Sequence, residues 1–259
     1  AGEVASEIAI NIVKESFAPD TLDRTVLKSG KSRARFMERV VGLADQAIKQ
    51  HASQHPECEG MGSTIILVWI CGGQATITWC GDSRAYLYRA ATGLKQISKD
   101  HSYVQELVDA GQITMDEAFD HPYNNVITRS LGDPNHNAKA DSISIPIYKG
   151  DIILVNSDGL SGVLRDSEME AIIRNNGNDI GGCRAALWKA ARDAGWYDNV
   201  TAILCCITEG AKYDATTASI DCSRDDGFLY LRIRKTSLIW VAAVLTVLAI
   251  GCVCALLFF

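Results

Sequence analysis

The 259-residue chain has no basic excess: 25 lysines and arginines stand against 31 aspartates and glutamates, a formal net charge of −6. A general nucleic-acid binder would carry a basic surplus, so nucleic acid is not an expected partner. None of the nine cysteines forms a C-x-x-C pair, which speaks against a zinc ribbon or a thioredoxin-like site. There is no internal repeat and no low-complexity tract. With 47% hydrophobic and 22% charged residues, a disordered or collagen-like chain is excluded. The most informative absence is local: no charged side chain occurs between Ser237 and Phe259.

That charge-free run is long enough to cross a bilayer. A helix rises about 1.5 Å per residue against a hydrocarbon core of about 30 Å, so about 20 apolar residues suffice. Trp240 at its start and Phe258-Phe259 at its end suit interfacial positions, and it lies at the wrong end of the chain for a signal peptide. Arg232, Arg234 and Lys235 precede it and nothing basic follows, so the positive-inside rule places the preceding domain in the cytoplasm. The expectation is a single-pass membrane protein with a transmembrane helix over 237–259. Cys58, Cys71, Cys80, Cys183, Cys205 and Cys206 fit a reducing compartment as small core or surface residues. Cys205 and Cys206, neighbours on an expected strand, should face opposite ways.

Residues 1–208 alternate helical patterns with groups of strands. Val4, Ala5, Ile8, Ile12 and Val13 recur at helical spacing, and Phe36, Met37, Val40, Val41, Ala44, Ala47 and Ile48 do so more cleanly. Strands are expected over Thr64–Ile70, Gln74–Cys80 and Arg84–Arg89, with Gly72-Gly73 as a hairpin turn. A second group comprises Ile143–Tyr148, Asp151–Asn156 and Val200–Ile207, with Lys149-Gly150 as the turn between the first two. Helices are expected near Ser167–Arg174 and Gly182–Ala194, the latter stopped by Gly195. Ile65–Ile70, Ile152–Val155 and Val200–Ile207 are apolar on both faces, so each needs cover on both sides. Two facing sheets backed by helices, an α+β sandwich, meet that need. Residues 209–236 read as a juxtamembrane linker, within which Phe228–Ile233 is either a short strand or a membrane contact.

Three aspartates share one kind of position. Asp82, in Gly81-Asp82-Ser83-Arg84, follows one strand; Asp158, in Ser157-Asp158-Gly159, follows another; Asp198, in Asp198-Asn199, precedes a third. Carboxylates at strand ends can converge on one edge of a sheet, where hard oxygen ligands bind Mg²⁺ or Mn²⁺. Paired ions of this kind activate water and clamp a phosphoryl group. Each tripeptide is also an ordinary turn sequence, and spacing alone does not choose between a metal site and three turns.

The ordered set of motifs is more specific. Gly62-Ser63-Thr64, Cys80-Gly81-Asp82-Ser83-Arg84, Ser98-Lys99-Asp100-His101-Ser102, Ile127-Thr128-Arg129-Ser130-Leu131-Gly132, Gly150-Asp151, Ser157-Asp158-Gly159-Leu160 and Asp198-Asn199-Val200-Thr201 resemble the PPM or PP2C family of metal-dependent protein phosphatases. The resemblance spans residues 1–208 and is nearest to the compact bacterial branch. It implies a four-layer α-β-β-α sandwich holding two or three Mn²⁺ or Mg²⁺ ions. In that reading Asp158 and Asp198 are metal ligands, Asp82 contributes to a further, weaker metal site, and Asn199 and Gly159 shape the turns beside them. Residues Ile113–Arg129, with Asn125 and Arg129, match a flap that influences substrate choice. The implied activity is hydrolysis of phosphoserine and phosphothreonine in proteins by a metal-activated water, opposing a serine/threonine kinase.

The chain departs from the family pattern at its start. A phosphate-binding arginine with an acidic motif, and the bridging aspartate of an Asp-Gly-x-Gly motif, are not found ahead of Ala1, and Ala1–Ser6 resembles the helix that follows them. The expectation is an incomplete front, with the catalytic arginine and bridging aspartate upstream. His101 is read either as ordering the site or as part of a helix N-cap. His51 and His55 are surface candidates, and nothing assigns His121 or His136 a ligand role. Arg24, Lys28, Lys31, Arg33 and Arg35 read as a solvated basic face, with contact to an acidic phosphoprotein as the alternative. Trp69, Trp79 and Trp188 are expected in the core. Two rival functions remain: a non-catalytic phosphoprotein-binding or kinase-regulating module, and a membrane scaffold whose aspartates are only turns.

Overall fold

The computed structural model describes the chain except residues 19, 21, 178, 196–197, 213–240, 247–251 and 259. Helices α1 (Gly2–Ser16) and α2 (Gly30–Gln54) come first, α2 capped by the Ser29 side chain accepting from the Ser32 N–H. Strands β1 (Thr64–Cys71), β2 (Gln74–Cys80), β3 (Arg84–Arg89) and β4 (Gly93–Gln96) follow, then short helices α3 (Tyr103–Asp109) and α4 (Met115–Phe119). Next come β5 (Asp141–Pro146), β6 (Ile152–Asn156), α5 (Asp158–Ser161), α6 (Asp166–Asn176), α7 (Ile180–Asp193) and β7 (Ala202–Cys206). The last described elements are β8 (Val241–Thr246) and β9 (Cys252–Phe258).

The strands form two sheets, ordered β5-β2-β1-β8-β9 and β4-β3-β6-β7. Period-2 alternation sorts their side chains into three cores. Ile65, Leu67 and Trp69 face α1 and α2. Ile66, Val68, Ile77 and Trp79 face Leu87, Ile153 and Val155 across the gap between the sheets. Tyr86, Ile152 and Leu154 face Leu160, Met169 and Leu187 on the helices behind the second sheet. The result is the α-β-β-α layering that the doubly apolar strands require. Cys205 packs with the inter-sheet core and Cys206 with the outer one, as expected for neighbours on a strand.

Several expectations are corrected. Strand β5 belongs to the first sheet, pairing with β2 (Ile77↔Ile143), so Lys149-Gly150 lies in a crossing between sheets and not in a hairpin. Strand β4, too short and polar to show in the sequence, extends the second sheet from β3. Arg33 leaves the basic face. It is buried, with Nε donating to Thr76 Oγ1 (3.1 Å), Nη2 to Gln74 Oε1 (2.7 Å) and Nη1 to the Leu27 carbonyl (3.2 Å), tying α2 to β2. Lys28, Lys31 and Arg35 remain exposed. Trp69 and Trp79 are core residues, but Trp188 is 45% exposed on the outer face of α7, with the Arg192 guanidinium 5.0 Å above its ring.

Of the run Ser237–Phe259, where a transmembrane helix is expected, only Val241–Thr246 and Cys252–Phe258 are described. Where it is described it is extended: β9 pairs in parallel with β1 (Thr64↔Cys252 to Leu67↔Ala255), and β8 pairs with β9 and touches β1 at Ile70↔Val241. Among the described residues no helix is long and apolar enough to cross a membrane. An apolar run has no periodicity that separates a helix from a buried strand, and this one is rich in β-branched residues. The rest of the run, most of the expected linker and Phe228–Ile233 lie outside the described residues.

Candidate metal and phosphoester site

Strand register brings the three aspartate loops to one end of the second sheet. Arg84 of β3 and Ala202 of β7 both stand opposite Asn156 of β6. The segment entering β3, which carries Asp82, the segment leaving β6, which carries Asp158, and the segment entering β7, which carries Asp198, therefore lie side by side. Asp82 sits where the chain crosses from the first sheet to the second.

The Asp158 and Asp198 loops are in backbone contact. The Ser157 N–H donates to the Thr201 carbonyl (3.0 Å), the Thr201 N–H to Ser157 Oγ (3.1 Å), and Ser157 Oγ to the Asn199 carbonyl (3.2 Å). A side chain at Gly159 would overlap that same Asn199 carbonyl oxygen, so only glycine permits the approach. Each aspartate is oriented by a neighbouring amide: Asp158 Oδ1 accepts from the Gly159 N–H (3.0 Å), and Asp198 Oδ1 from the Asn199 N–H (2.6 Å). Asn199 itself is exposed and contributes backbone.

Like charges collect here. Crowding by protein atoms, the charge of Asp158 and then that of Asp100 push the half-buried Asp82 carboxyl up to about 7. Crowding and the charge of Asp198 likewise raise the Asp158 carboxyl, although Asp158 keeps a face open to solvent. Among the described residues, however, no three His, Cys, Asp or Glu side chains come together as a metal-binding group. The structure brings Asp82 and Asp198 each within electrostatic reach of Asp158 without closing the three into one chelate. Hard oxygen donors open to water, with uncompensated negative charge, suit a cation that keeps several waters, as Mg²⁺ does.

A polar frame missed by the sequence reading holds the Asp82 turn. Arg84 grips Asp100 with Nε (2.9 Å to Oδ2) and Nη2 (2.7 Å to Oδ2), and its Nη1 donates to the Tyr86 hydroxyl (3.1 Å). Tyr86 donates in turn to Asp166 (2.9 Å), and Gln96 Nε2 donates to Asp100 (2.9 Å). Asp100 thus faces a guanidinium and an amide donor. The only advance signal was the Arg84 and Asp100 spacing within two quoted motifs.

His101 is bonded to the turn that carries Asp82, while the helix cap is Ser102, whose hydroxyl accepts from the Gln105 N–H. His101 Nδ1 accepts from the Gly81 N–H (3.1 Å), which assigns the ring proton to Nε2, facing Asp141 Oδ2 at 3.0 Å. Burial pushes the imidazole pKa down, consistent with this neutral form. Gly81 has φ +118°, and a side chain there would overlap Thr64. The His101 N–H also donates to the Gly81 carbonyl (3.0 Å), and its own carbonyl accepts from the Thr128 N–H (2.8 Å). His101 therefore joins the Asp82 turn to the base of residues 103–126, an excursion closed by Tyr103 N–H to Val126 carbonyl (2.8 Å) and the Ser102↔Ile127 bridge. Arg129 lies at that base, Nη1 reaching Asp141 Oδ2 at 3.4 Å. Asn125 is exposed in the excursion, where the rings of Tyr103, His121 and Tyr123 cluster with one another. His136 is exposed and pairs with Asp133, and His51 and His55 stack on each other at the end of α2.

A family model described as Protein phosphatase 2C matches residues 5–200. The chain is 33% identical over 209 residues to Protein phosphatase PhpP of Streptococcus pneumoniae, covering 81% of each chain. Its fold is similar to a crystal structure of a bacterial serine phosphatase, with TM-score 0.73, 32% identity and coverage of 82% of this chain and 83% of that one. It is also similar to the catalytic domain of the phosphatase PstP in complex with two manganese ions, with TM-score 0.67, 28% identity and coverage of 80% and 82%.

Two outcomes follow from this geometry. Gly159→Ala should force the two loops apart, lowering stability by about 1–3 kcal/mol and weakening Mn²⁺ uptake in calorimetric titration. Unchanged stability and uptake would mean that the loops do not touch as described. In EDTA, Asp82→Asn should stabilise the protein at pH 8. A carboxyl raised in the folded state costs stability as pH climbs from its unfolded value near 4 to its folded value near 7. The gain in unfolding free energy should therefore grow across that window and level off above it. We expect about 1 kcal/mol, less than full linkage because water reaches the carboxylate. A pH-independent difference between the two proteins would contradict the charge cluster.

Proposed function

The chain belongs to the protein phosphatase 2C family of serine/threonine phosphatases, and from that premise we propose that it hydrolyses phosphoserine and phosphothreonine in proteins at the Asp82–Asp158–Asp198 end of the sandwich. The observation that carries the proposal is the backbone contact at Gly159, which holds Asp198 close enough to Asp158 to oppose ionisation of the Asp158 carboxyl. Asp158 and Asp198 are the residues that would hold Mn²⁺ or Mg²⁺, with Asp82 beside them. When bound, such cations polarise a water and neutralise charge on the phosphoryl oxygens. The chain's own part is preorganisation. The amides of Gly159 and Asn199 aim the two carboxylates, and His101 and the Arg84–Asp100 pair fix the turn that carries Asp82. A serine/threonine kinase must supply the phosphoester that this reaction consumes.

A second reading, a non-catalytic phosphoprotein-binding module, is favoured by one observation: among the described residues no three ligating side chains gather. Turnover separates the two. With protein expressed from its whole reading frame, Mn²⁺-dependent hydrolysis of a phosphothreonine peptide should fall about 100-fold or more in Asp158→Asn. Equal rates would refute the role given to Asp158. Peptide binding without turnover by the parent would favour the module.

The proposal extends to location. The charge-free run Ser237–Phe259, preceded by Arg232, Arg234 and Lys235, supports a single-pass anchor with the phosphatase domain in the cytoplasm. Tethering would confine hydrolysis to phosphoproteins near the membrane and raise their effective concentration. An anchored chain requires β8 and β9 to leave the edge of β1, so the two arrangements exclude each other. The full chain should stay in the membrane pellet through an alkaline carbonate wash, and a chain ending at residue 212 should not. Release of the full chain by carbonate would instead favour the strand pairing.

A further inference from the structure

The excursion 103–126 is fastened at two places. Its base hangs on His101 and the Asp82 turn. Its tip is held by one side chain from the opposite direction, Arg165, which immediately precedes α6 and follows the Asp158 helix α5 in the chain. Arg165 Nη1 donates to Asp116 Oδ1 (3.1 Å) and Nη2 to Asp120 Oδ2 (2.7 Å), so the two acids at either end of α4 are gripped by one guanidinium. The central carbon of that guanidinium lies over Phe119, 4.4 Å from the ring centre. Helix α4 presents these three groups together because it is locally closed. Thr114 and Glu117 form a reciprocal capping box, with Thr114 N–H to Glu117 Oε2 at 2.7 Å and Glu117 N–H to Thr114 Oγ1 at 3.2 Å. The backbone of Arg165 is equally fixed, its N–H donating to Glu168 Oε2 (2.8 Å). The next residue, Asp166, takes the Tyr86 hydroxyl and thereby joins the Arg84 frame of the Asp82 turn.

We infer that Arg165 is a positioning residue: it holds the 103–126 excursion beside the carboxylate end, and so sets how tightly phosphorylated polypeptides, as opposed to small phosphoesters, are bound. The second half of this inference rests on the phosphatase reading; the first does not. The chemistry of the contact is specific to arginine. A planar fork can serve two carboxylates and stack on an aromatic ring at once, whereas an ammonium cannot do both. The contact is shallow as well: the Arg165 side chain is 38% exposed, Asp116 93% and Asp120 69%. Solvent-exposed pairs of this kind are individually weak and screened by salt, so the tip is held by a shifting equilibrium and not a permanent weld. Polypeptide substrates meet the excursion; an aryl phosphate is too small to depend on it.

Hydrogen exchange on the metal-free full chain tests the first half. Arg165→Ala should raise exchange of the α4 amides roughly threefold to tenfold, and Arg165→Lys should fail to restore protection. Raising salt from about 50 mM to about 500 mM should loosen α4 in the parent and leave Arg165→Ala unchanged. Equal protection in parent and variant would overturn the clamp, whatever the enzyme does. Anisotropy of a labelled phosphothreonine peptide with Mn²⁺ tests the second half. Its dissociation constant, and KM in turnover, should rise about fivefold in Arg165→Ala, while kcat and the hydrolysis of p-nitrophenyl phosphate stay level. A variant that loosens α4 yet binds the peptide as the parent does would overturn the link to substrate. A parent that binds the peptide without hydrolysing it would sink the phosphatase reading and leave the Arg165 comparison intact.

Discussion

The approach of Gly159 to the Asn199 carbonyl is the constraint on which the carboxylate end depends. It can exist only because β6 pairs with β7 in a register that sets Asn156 opposite Ala202, placing the end of one strand beside the start of the other. Ser157 then stitches the two loops through its hydroxyl and amide, and glycine removes the one atom that would keep them apart. Crowding acidic side chains this way is unfavourable by itself. The cost is met by the three apolar cores on either side, where residues such as Ile66, Ile153 and Leu160 are almost fully withdrawn from water.

Two neighbouring carboxylates show how differently the fold can surround the same side chain. Asp100 accepts hydrogen bonds from Arg84 and Gln96. Asp82, in the same stretch of structure, is raised by burial and by the charges of Asp158 and Asp100. A buried polar network is worth having when its members are satisfied, and Arg84, Tyr86, Asp100 and Asp166 satisfy one another. The frame is therefore rigid where the Asp82 turn needs to be rigid, and the negative charge left over is concentrated on the loops that face solvent.

Much of the fold was readable from local pattern. The strands from Gln74 to Cys80 and from Arg84 to Arg89 run over the expected residues, and the two long helices follow the spacing of Ala5 to Val13 and Phe36 to Ile48. The doubly apolar strands announced four layers, because a strand without a polar face must be covered twice. What misled was partnership. The Lys149-Gly150 turn looked like a hairpin, yet its strands pair in different sheets; Arg33 looked solvated, yet Thr76 and Gln74 wait for it beneath α2. Trp188 is apolar enough for a core but lies on the outward face of α7, where Arg192 covers it. Within the site, the aspartates and glycines stood out in short motifs. Asp141, Tyr86 and Arg165 did not, because each acts through a neighbour distant in the chain.

The sequence by itself determined the kinds of element, the alternation that sorts side chains between cores, and the turn chemistry of Gly81-Asp82, Asp158-Gly159 and Asp198-Asn199. Those properties are local, and a few consecutive residues suffice to express them. Tertiary structure alone decided which strands share a sheet, that three turns meet at one end, and that Arg165 takes hold of α4. Hydrophobicity without periodicity leaves open whether the last apolar run forms a helix or strands, and its described parts are extended beside β1. The physical reason is common to all of these. A pattern reports which face of an element must leave water, but the partner that covers it is selected by register and packing among segments that the chain brings together only on folding.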